Sequence, residues 1–330
     1  MEINLYFTPQ PNGLLASEDV MPQLLRWQAD GQRTVLVTLI SVEGGAPRQA
    51  GAQMAVAADG RYCGYLSGGC LESAVVLEAQ AVMASGQNKL VRFGRGSPYF
   101  DIKLPCGSGL DLYFDQSISP SNISDLIEIR DRRQTAELRT ELVTGVSTVQ
   151  LVESNSPIGP SARDGDVFTR TYAPDVRLLL LGSGPAFIGT ASLAAALGVG
   201  LSLVSSDDAT RAGLVAAGIQ GDVLANMPSS DLEHLDLATA AILFFHAHEE
   251  EPEHLRHLLK SKCFYIGALG NHAVHRQRLS ALQALGFSAS SLSRIRAPMG
   301  SIGNAKSKAT LAVSVLAELM SEAKALNLVA

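Results

Sequence analysis

Two cysteines stand in glycine-rich turns, and a thiol so placed is suited to sulfur, metal or phosphate chemistry. The first turn is Ser67-Gly68-Gly69-Cys70-Leu71-Glu72. An apolar run, Tyr62 to Leu66, leads in, and a helical run, Leu71 to Ser85, leads out and stops at Gly86. Two glycines let the backbone turn sharply at little steric cost. They also expose several N–H groups in a concave turn, a natural anion cradle. The positive end of the following helix faces the same place. Cys70 falls in its first turn, where a thiol loses its proton more readily. Two readings fit: a thiolate beside an anion cradle, or a tight strand-to-helix turn with an inert buried cysteine. The second turn is Leu104-Pro105-Cys106-Gly107-Ser108-Gly109, which opens into a strand from Leu110 to Phe114. If the turns face each other, Cys70 and Cys106 can hold a metal ion or pass a sulfur atom. Arg48 closes the turn Glu43-Gly44-Gly45-Ala46-Pro47-Arg48. A guanidinium there suits phosphate or a pterin oxygen; the alternative is a surface ion pair of little energetic weight.

The second half carries its own candidates. Gly182-Ser183-Gly184-Pro185-Ala186-Phe187 follows a strand and precedes a helix, the context of a dinucleotide fingerprint. Phe187 stands at the third glycine position, where bulk pushes the helix from the sheet or changes its packing. The acid that would hold a ribose hydroxyl is replaced by Ser205, with Asp207 and Asp208 two and three residues late. Four histidines crowd another strand end: His246-x-His248, then His254 and His257. Residues two apart in an extended segment point the same way, so His246 and His248 can share a metal. The alternative is a polar loop with His254 and His257 on an exposed helix face.

The elements that must position these residues follow from pattern and length. A chain of 330 residues suggests more than one domain, and 46% hydrophobic with 18% charged residues is ordinary for sizeable globular cores. Thr34 to Val42 is a buried strand, Gly51 to Ala57 a second and Arg61 to Leu66 a third, with Asp59-Gly60 turning between them. Lys89 to Phe93 is a further strand. Residues 1–116 read as an α+β domain and 117–175 as a small connecting subdomain, with a helix over Ser124 to Arg132 and loose strands over Leu142 to Val152. From Val176 strands and helices alternate, over Arg177–Leu181, Leu201–Ser205, Ala241–Phe245, Phe264–Gly267 and Leu292–Arg296, with a closing helix over Ala309–Ala323. That alternation predicts an α/β unit, 176–330, with a doubly wound parallel sheet. Leu178 to Ser206 is uncharged and long enough to span a bilayer. Its glycine and proline punctuation reads instead as strand, turn, helix and strand.

Charge and cysteine usage narrow the function classes. A net charge of −6 argues against nucleic acid and anionic membranes as partners. Cys63, Cys70, Cys106 and Cys263 include no C-x-x-C pair, which argues against a zinc ribbon or a thioredoxin motif. No disulfide framework is expected. The N-terminal residues lack a secretory pattern, so a reducing cytoplasm is the expected setting.

At these motifs the chain resembles the XdhC/CoxI accessory proteins of molybdenum hydroxylases, the xanthine dehydrogenase accessory factors. The resemblance runs through Gly44 to Arg48, Gly51-Ala52-Gln53-Met54, Ser67 to Glu72 and Leu104 to Gly107. In the second half it includes Leu181 to Gly184, Tyr265 to Gly270, Ala297-Pro298-Met299-Gly300 and Leu316 to Leu319. It implies an XdhC/CoxI-like accessory domain followed by a Rossmann-like domain. It also implies a chaperone, not an enzyme, that binds molybdenum cofactor as molybdopterin or its dinucleotide form. Such a chaperone supports or protects the sulfurated form and delivers it to a hydroxylase of the xanthine or aldehyde dehydrogenase type. The partners implied are that apoenzyme and a cysteine desulfurase; a homodimer is the expected assembly. Carried over, the cofactor-contacting residues are Arg48, Gly68, Gly69, Cys70, Glu72, Cys106 and Gly107, with Cys70 and Cys106 as ligands to the metal. The second half departs from the family at Ser205, Phe245 and Asn271-His272-Ala273, and only Lys306 carries over from Ser301 to Lys308. A competing reading is an NAD(P)-dependent oxidoreductase that holds its nucleotide on Gly182 and Gly184.

Overall fold

The computed structural model describes residues 18–69, 71–97, 107–153, 158–245 and 251–329. The chain parts into two compact units between Pro174 and Asp175.

The first unit is built on a strand covered on both faces. Its elements are α1 (Met21–Ala29), β1 (Thr34–Glu43), β2 (Gln53–Ala57), β3 (Tyr62–Gly64), α2 (Glu72–Ser85), β4 (Lys89–Gly94), β5 (Gly109–Asp115) and α3 (Pro120–Asp131). The strands form one antiparallel sheet in the order β3-β2-β1-β5-β4. Val35, Val37 and Leu39 of β1 pack with Val75, Ala79 and Val82 of α2. Leu36, with Ala55 and Ala57 of β2, packs on the other face with Met21 and Leu24 of α1 and Ile123 and Leu126 of α3. Covering both faces explains why β1 is buried without break from Thr34 to Ile40 and not at alternate positions. Helix α2 stops at Gly86, which takes φ +73° as the left-handed cap.

Of residues 117–175, expected as a connecting subdomain, those up to Pro174 fall within this first unit. Strands β6 (Ala136–Glu141), β7 (Ser147–Leu151), β8 (Ala162–Asp164) and β9 (Val167–Tyr172) make a second antiparallel sheet, in the order β7-β6-β9-β8. Ala136, Leu138 and Tyr172 join the core under α1 and α3. The Tyr172 hydroxyl donates to Gln53 Oε1 at 3.0 Å, and Gln53 Nε2 donates to Thr38 Oγ1 at 3.0 Å. This buried chain ties the two sheets together. Strands β6 and β9 were not expected from sequence. Ala-Glu-Leu-Arg-Thr-Glu has helical propensity, but alternate burial of Ala136, Leu138 and Thr140 in the sheet overrides it.

The second unit is the expected parallel sheet. It runs β10 (Arg177–Gly182), α4 (Pro185–Leu197), β11 (Gly200–Val204), α5 (Asp208–Ala216), β12 (Val223–Leu224), β13 (Thr239–Phe244), α6 (Glu251–Leu258), β14 (Tyr265–Ala268), α7 (His272–Ala284), α8 (Ala289–Leu292), β15 (Ile295–Arg296) and α9 (Lys308–Ala325). The order is β12-β11-β10-β13-β14-β15, all pairs parallel. Counted from β10 this is the doubly wound Rossmann order, with its switch point between β10 and β13. Leu292 to Arg296, expected as one strand, divides into the end of α8 and the short β15. The uncharged stretch from Leu178 folds as β10, α4 and β11. No described helix is long and apolar enough to cross a membrane.

Candidate functional site

One end of the five-stranded sheet gathers the loops that carry the first-unit candidates. Glu43, the last residue of β1, pairs with Gly109, the first of β5, and Gly94 at the end of β4 pairs with the same glycine. Gly64 at the end of β3 pairs with Met54 near the start of β2. Three connections therefore leave from this end: residues 44–52, 65–71 and 95–108. Their described parts meet. A Cβ on Gly44 would lie 3.6 Å from Cα of Ser108. The Arg48 guanidinium sits over the Tyr65 ring at 4.5 Å and donates to its hydroxyl at 3.0 Å. Cys70 and Cys106 lie outside the described residues, as do His246 and His248. Their neighbours Gly69, Leu71 and Gly107 are described.

The anion cradle forms, and its occupant is Glu72. The Glu72 carboxylate accepts the N–H groups of Leu66 at 3.0 Å, Ser67 at 2.9 Å, Gly68 at 3.2 Å, Gly69 at 2.8 Å and Leu71 at 3.2 Å. The Ser67 hydroxyl donates to it at 2.7 Å and accepts Leu71 N–H at 2.9 Å. Gly68 and Gly69 take φ +82° and +117°, backbone that glycine alone adopts freely, and a Cβ on either would meet open space. Glu72 is 4% exposed. Burial raises its carboxyl pKa, but the Ser67 N–H and hydroxyl and the Leu66 N–H outweigh burial and hold it at about 2. Glu72, carried over with Gly68 and Gly69 as a cofactor contact, is here the acceptor of both glycine N–H groups. Among the described residues, the turn's N–H groups are spent on the chain's own carboxylate.

Arg48 is more than a surface ion pair. Its Nη2 donates to Glu18 Oε2 at 2.9 Å, its side chain is 12% exposed, and its Nε is buried without a hydrogen-bond partner. Burial works against its charge; the hydrogen bond and proximity of Glu18 prevail and raise its pKa. Sequence alone did not point to Glu18 and Tyr65 as its partners, because both are distant in the chain. It also missed a second charged group at this sheet end. Arg92 pairs with Glu43 and, at 3.0 Å, with Asp111, while Asp111 accepts from Ser41. Arg95 lies 3.7 Å from Glu43. The register of β1, β5 and β4 brings these residues together.

The described cysteines are poor nucleophiles. Burial pushes the Cys63 thiol up to about 11 and the Cys263 thiol up to about 12. Both are free and pack as small apolar side chains.

In the second unit the glycine turn has the expected backbone. Gly182 takes φ +117°, and a Cβ there would lie 2.4 Å from the Phe244 carbonyl oxygen. Gly184 caps α4 at φ +99°. Phe187 is accommodated in the core, edge-on to Phe244 with ring centroids 6.0 Å apart. His254 stacks on Phe245 at 5.3 Å. His257 is held by Glu233 at 2.6 Å and Glu253 at 3.0 Å, and its side chain is 12% exposed. The exposed helix face expected for these two histidines is therefore a packed one. Among the described residues no cluster of histidine, cysteine and acidic side chains could hold a metal ion.

Comparison with known proteins matches both units. The XdhC and CoxI family matches residues 27–94, and the XdhC Rossmann domain matches residues 178–319. The chain is 36% identical over 291 residues to the molybdenum cofactor insertion chaperone PaoD of Escherichia coli, covering 88% of this chain and 84% of that protein. It is 25% identical over 324 residues to a probable xanthine dehydrogenase subunit of Bacillus subtilis, covering 89% of this chain and 94% of that one. The crystal structure of a xanthine dehydrogenase from Bacillus halodurans has the same fold, with a TM-score of 0.71 over 92% of this chain and 96% of that one at 19% identity. Two family matches in register with the two folded units, and an identity of that extent, make this chain a member of the XdhC and CoxI family.

Proposed function

We propose that this chain is a molybdenum cofactor insertion chaperone. The observation that carries the reading is its 36% identity, over most of both chains, to a protein of that function. The meeting of the described parts of loops 44–52, 65–71 and 95–108 at one sheet end supports a site in the first unit. The cargo is anionic through its phosphate and soft at its metal. Arg48, half-buried with one unpartnered N–H, suits the phosphate or a pterin oxygen. The N–H groups of Ser67, Gly68, Gly69 and Leu71 do not, since Glu72 holds them. Cys70 and Cys106 are the thiols proposed for the metal or its sulfur, and Gly107 flanks the second. Glu72 shapes the backbone on both sides of Cys70 without touching the cargo.

In this reading the chain shields the sulfurated cofactor and hands it to an apoenzyme of the xanthine or aldehyde dehydrogenase type, with a cysteine desulfurase as sulfur source. The chaperone works as a homodimer in the reducing cytoplasm, where its thiols stay free. The test is reconstitution. An apo-hydroxylase is incubated with released cofactor, with and without this chain, and its turnover is followed. The expected result is a rise of tenfold or more in the rate of activation, on the order of 1.4 kcal/mol of barrier. Equal rates with and without the chain would contradict the proposal.

A further inference from the structure

A Rossmann strand order implies a dinucleotide at the first glycine turn, and here the donor set does not fit one. Such a turn binds pyrophosphate through backbone N–H groups at the start of the helix, the second glycine allowing close approach. The two N–H groups that follow Gly182 in the turn are already used. Ser183 N–H donates to the Phe244 carbonyl at 3.1 Å. Gly184 N–H donates to Thr210 Oγ1 at 2.9 Å. The next residue, Pro185, has no N–H to give. Thr210 is 2% exposed, and its hydroxyl donates in turn to Asp207 Oδ2 at 2.6 Å.

On the ribose side, two of the three candidate partners, Ser205 and Asp207, are engaged in a related way. Ser205, at the position of the ribose acid, is 2% exposed; its N–H goes to the Leu224 carbonyl at 2.8 Å and its hydroxyl accepts Asp207 N–H at 3.3 Å. Asp207 is engaged as the cap of α5, accepting Thr210 N–H at 2.8 Å as well as the Thr210 hydroxyl. Asp208 stands at 98% exposure beside Arg211. A carboxylate that caps a helix and orients a threonine is not free to take two ribose hydroxyls.

We infer that the glycine turn of the second unit is an internal clasp, in which the Thr210 hydroxyl occupies the place of a phosphate oxygen, and that no dinucleotide binds there. The relay Gly184–Thr210–Asp207 joins the β10–α4 turn to the start of α5. Gly182 and Gly184 then serve close packing and chain reversal, not a cofactor. This inference stands against the oxidoreductase alternative and is independent of what the first unit carries.

Two measurements on the full chain test it. Titration with NADH, NADPH and FAD, followed by fluorescence, should show no saturable change; saturable binding that Gly184→Val abolishes would overturn the inference. Hydrogen exchange at the Gly184 amide should be slow in the wild type. It should speed up by about tenfold in Thr210→Val, which keeps shape and loses the hydroxyl, in line with one hydrogen bond lost. Unchanged exchange in that variant would show that the clasp is absent.

Discussion

Glu72→Gln should cost the first unit about 3 kcal/mol at neutral pH. The figure follows from a carboxyl held at about 2 against an ordinary 4.5, at 1.36 kcal/mol per unit of pKa. An amide is almost isosteric, but its NH2 group would face N–H donors that now point at a carboxylate oxygen. The effect has a definite pH signature. A depressed folded pKa contributes stability that is complete above the unfolded value and disappears as pH falls through the folded one. The wild type should therefore lose this increment between pH 4.5 and about 2, and Glu72→Gln should not. Urea unfolding of both proteins across that range measures it. Equal midpoints at neutral pH would show that the cradle does not depend on the charge.

The second large effect lies in the other unit. Arg278 and Glu251 form an ion pair with side chains only 2% and 1% exposed, at 2.8 Å. Arg278 also donates to the Leu269 carbonyl at 2.7 Å, so the pair ties the start of α6 to the loop that enters α7. Removing one partner of such a pair leaves a buried charge that has lost its main counter-charge. Arg278→Met should lower the stability of the second unit by about 3–5 kcal/mol. Adding Glu251→Leu should restore most of it, because a buried pair exchanged for apolar side chains is close to neutral. Hydrogen exchange of the β13 and β14 amides reports this unit. A loss under about 1 kcal/mol in the single variant would mark the pair as no stronger than a surface one.

Much of the fold was legible because its strongest signals are physical necessities. The apolar run from Thr34, the glycine stop at Gly86 and the strand–helix alternation after Val176 each admit few solutions. Strand β6 was not legible, since its residues favour a helix and only the sheet it joins decides otherwise. The two-residue β12 lacks any periodicity to read. The site was legible at the level of loops. The glycines, the turn and its suitability for an anion could be read from Ser67 to Glu72. That the anion is Glu72 itself could not, because no spacing rule says that the first residue of a helix folds back over the turn before it. Arg48 was visible as a lone cation, but its partners come from register and tertiary packing. The same holds for Gly184: the fingerprint was legible, and Thr210, 26 residues on, was not.

The most direct test of the central claim is the cargo itself. The chain is expressed in cells that make molybdenum cofactor, purified gently, oxidised and assayed for fluorescent pterin. The account predicts near-stoichiometric pterin in the wild type. It predicts a fall of tenfold or more in Cys70→Ala and in Cys106→Ala, on the order of 1.4 kcal/mol of binding for each thiol, with folding unchanged. No pterin in the wild type, even after incubation with released cofactor, would contradict the chaperone reading. Undiminished pterin in both variants would take the site away from the two cysteine turns.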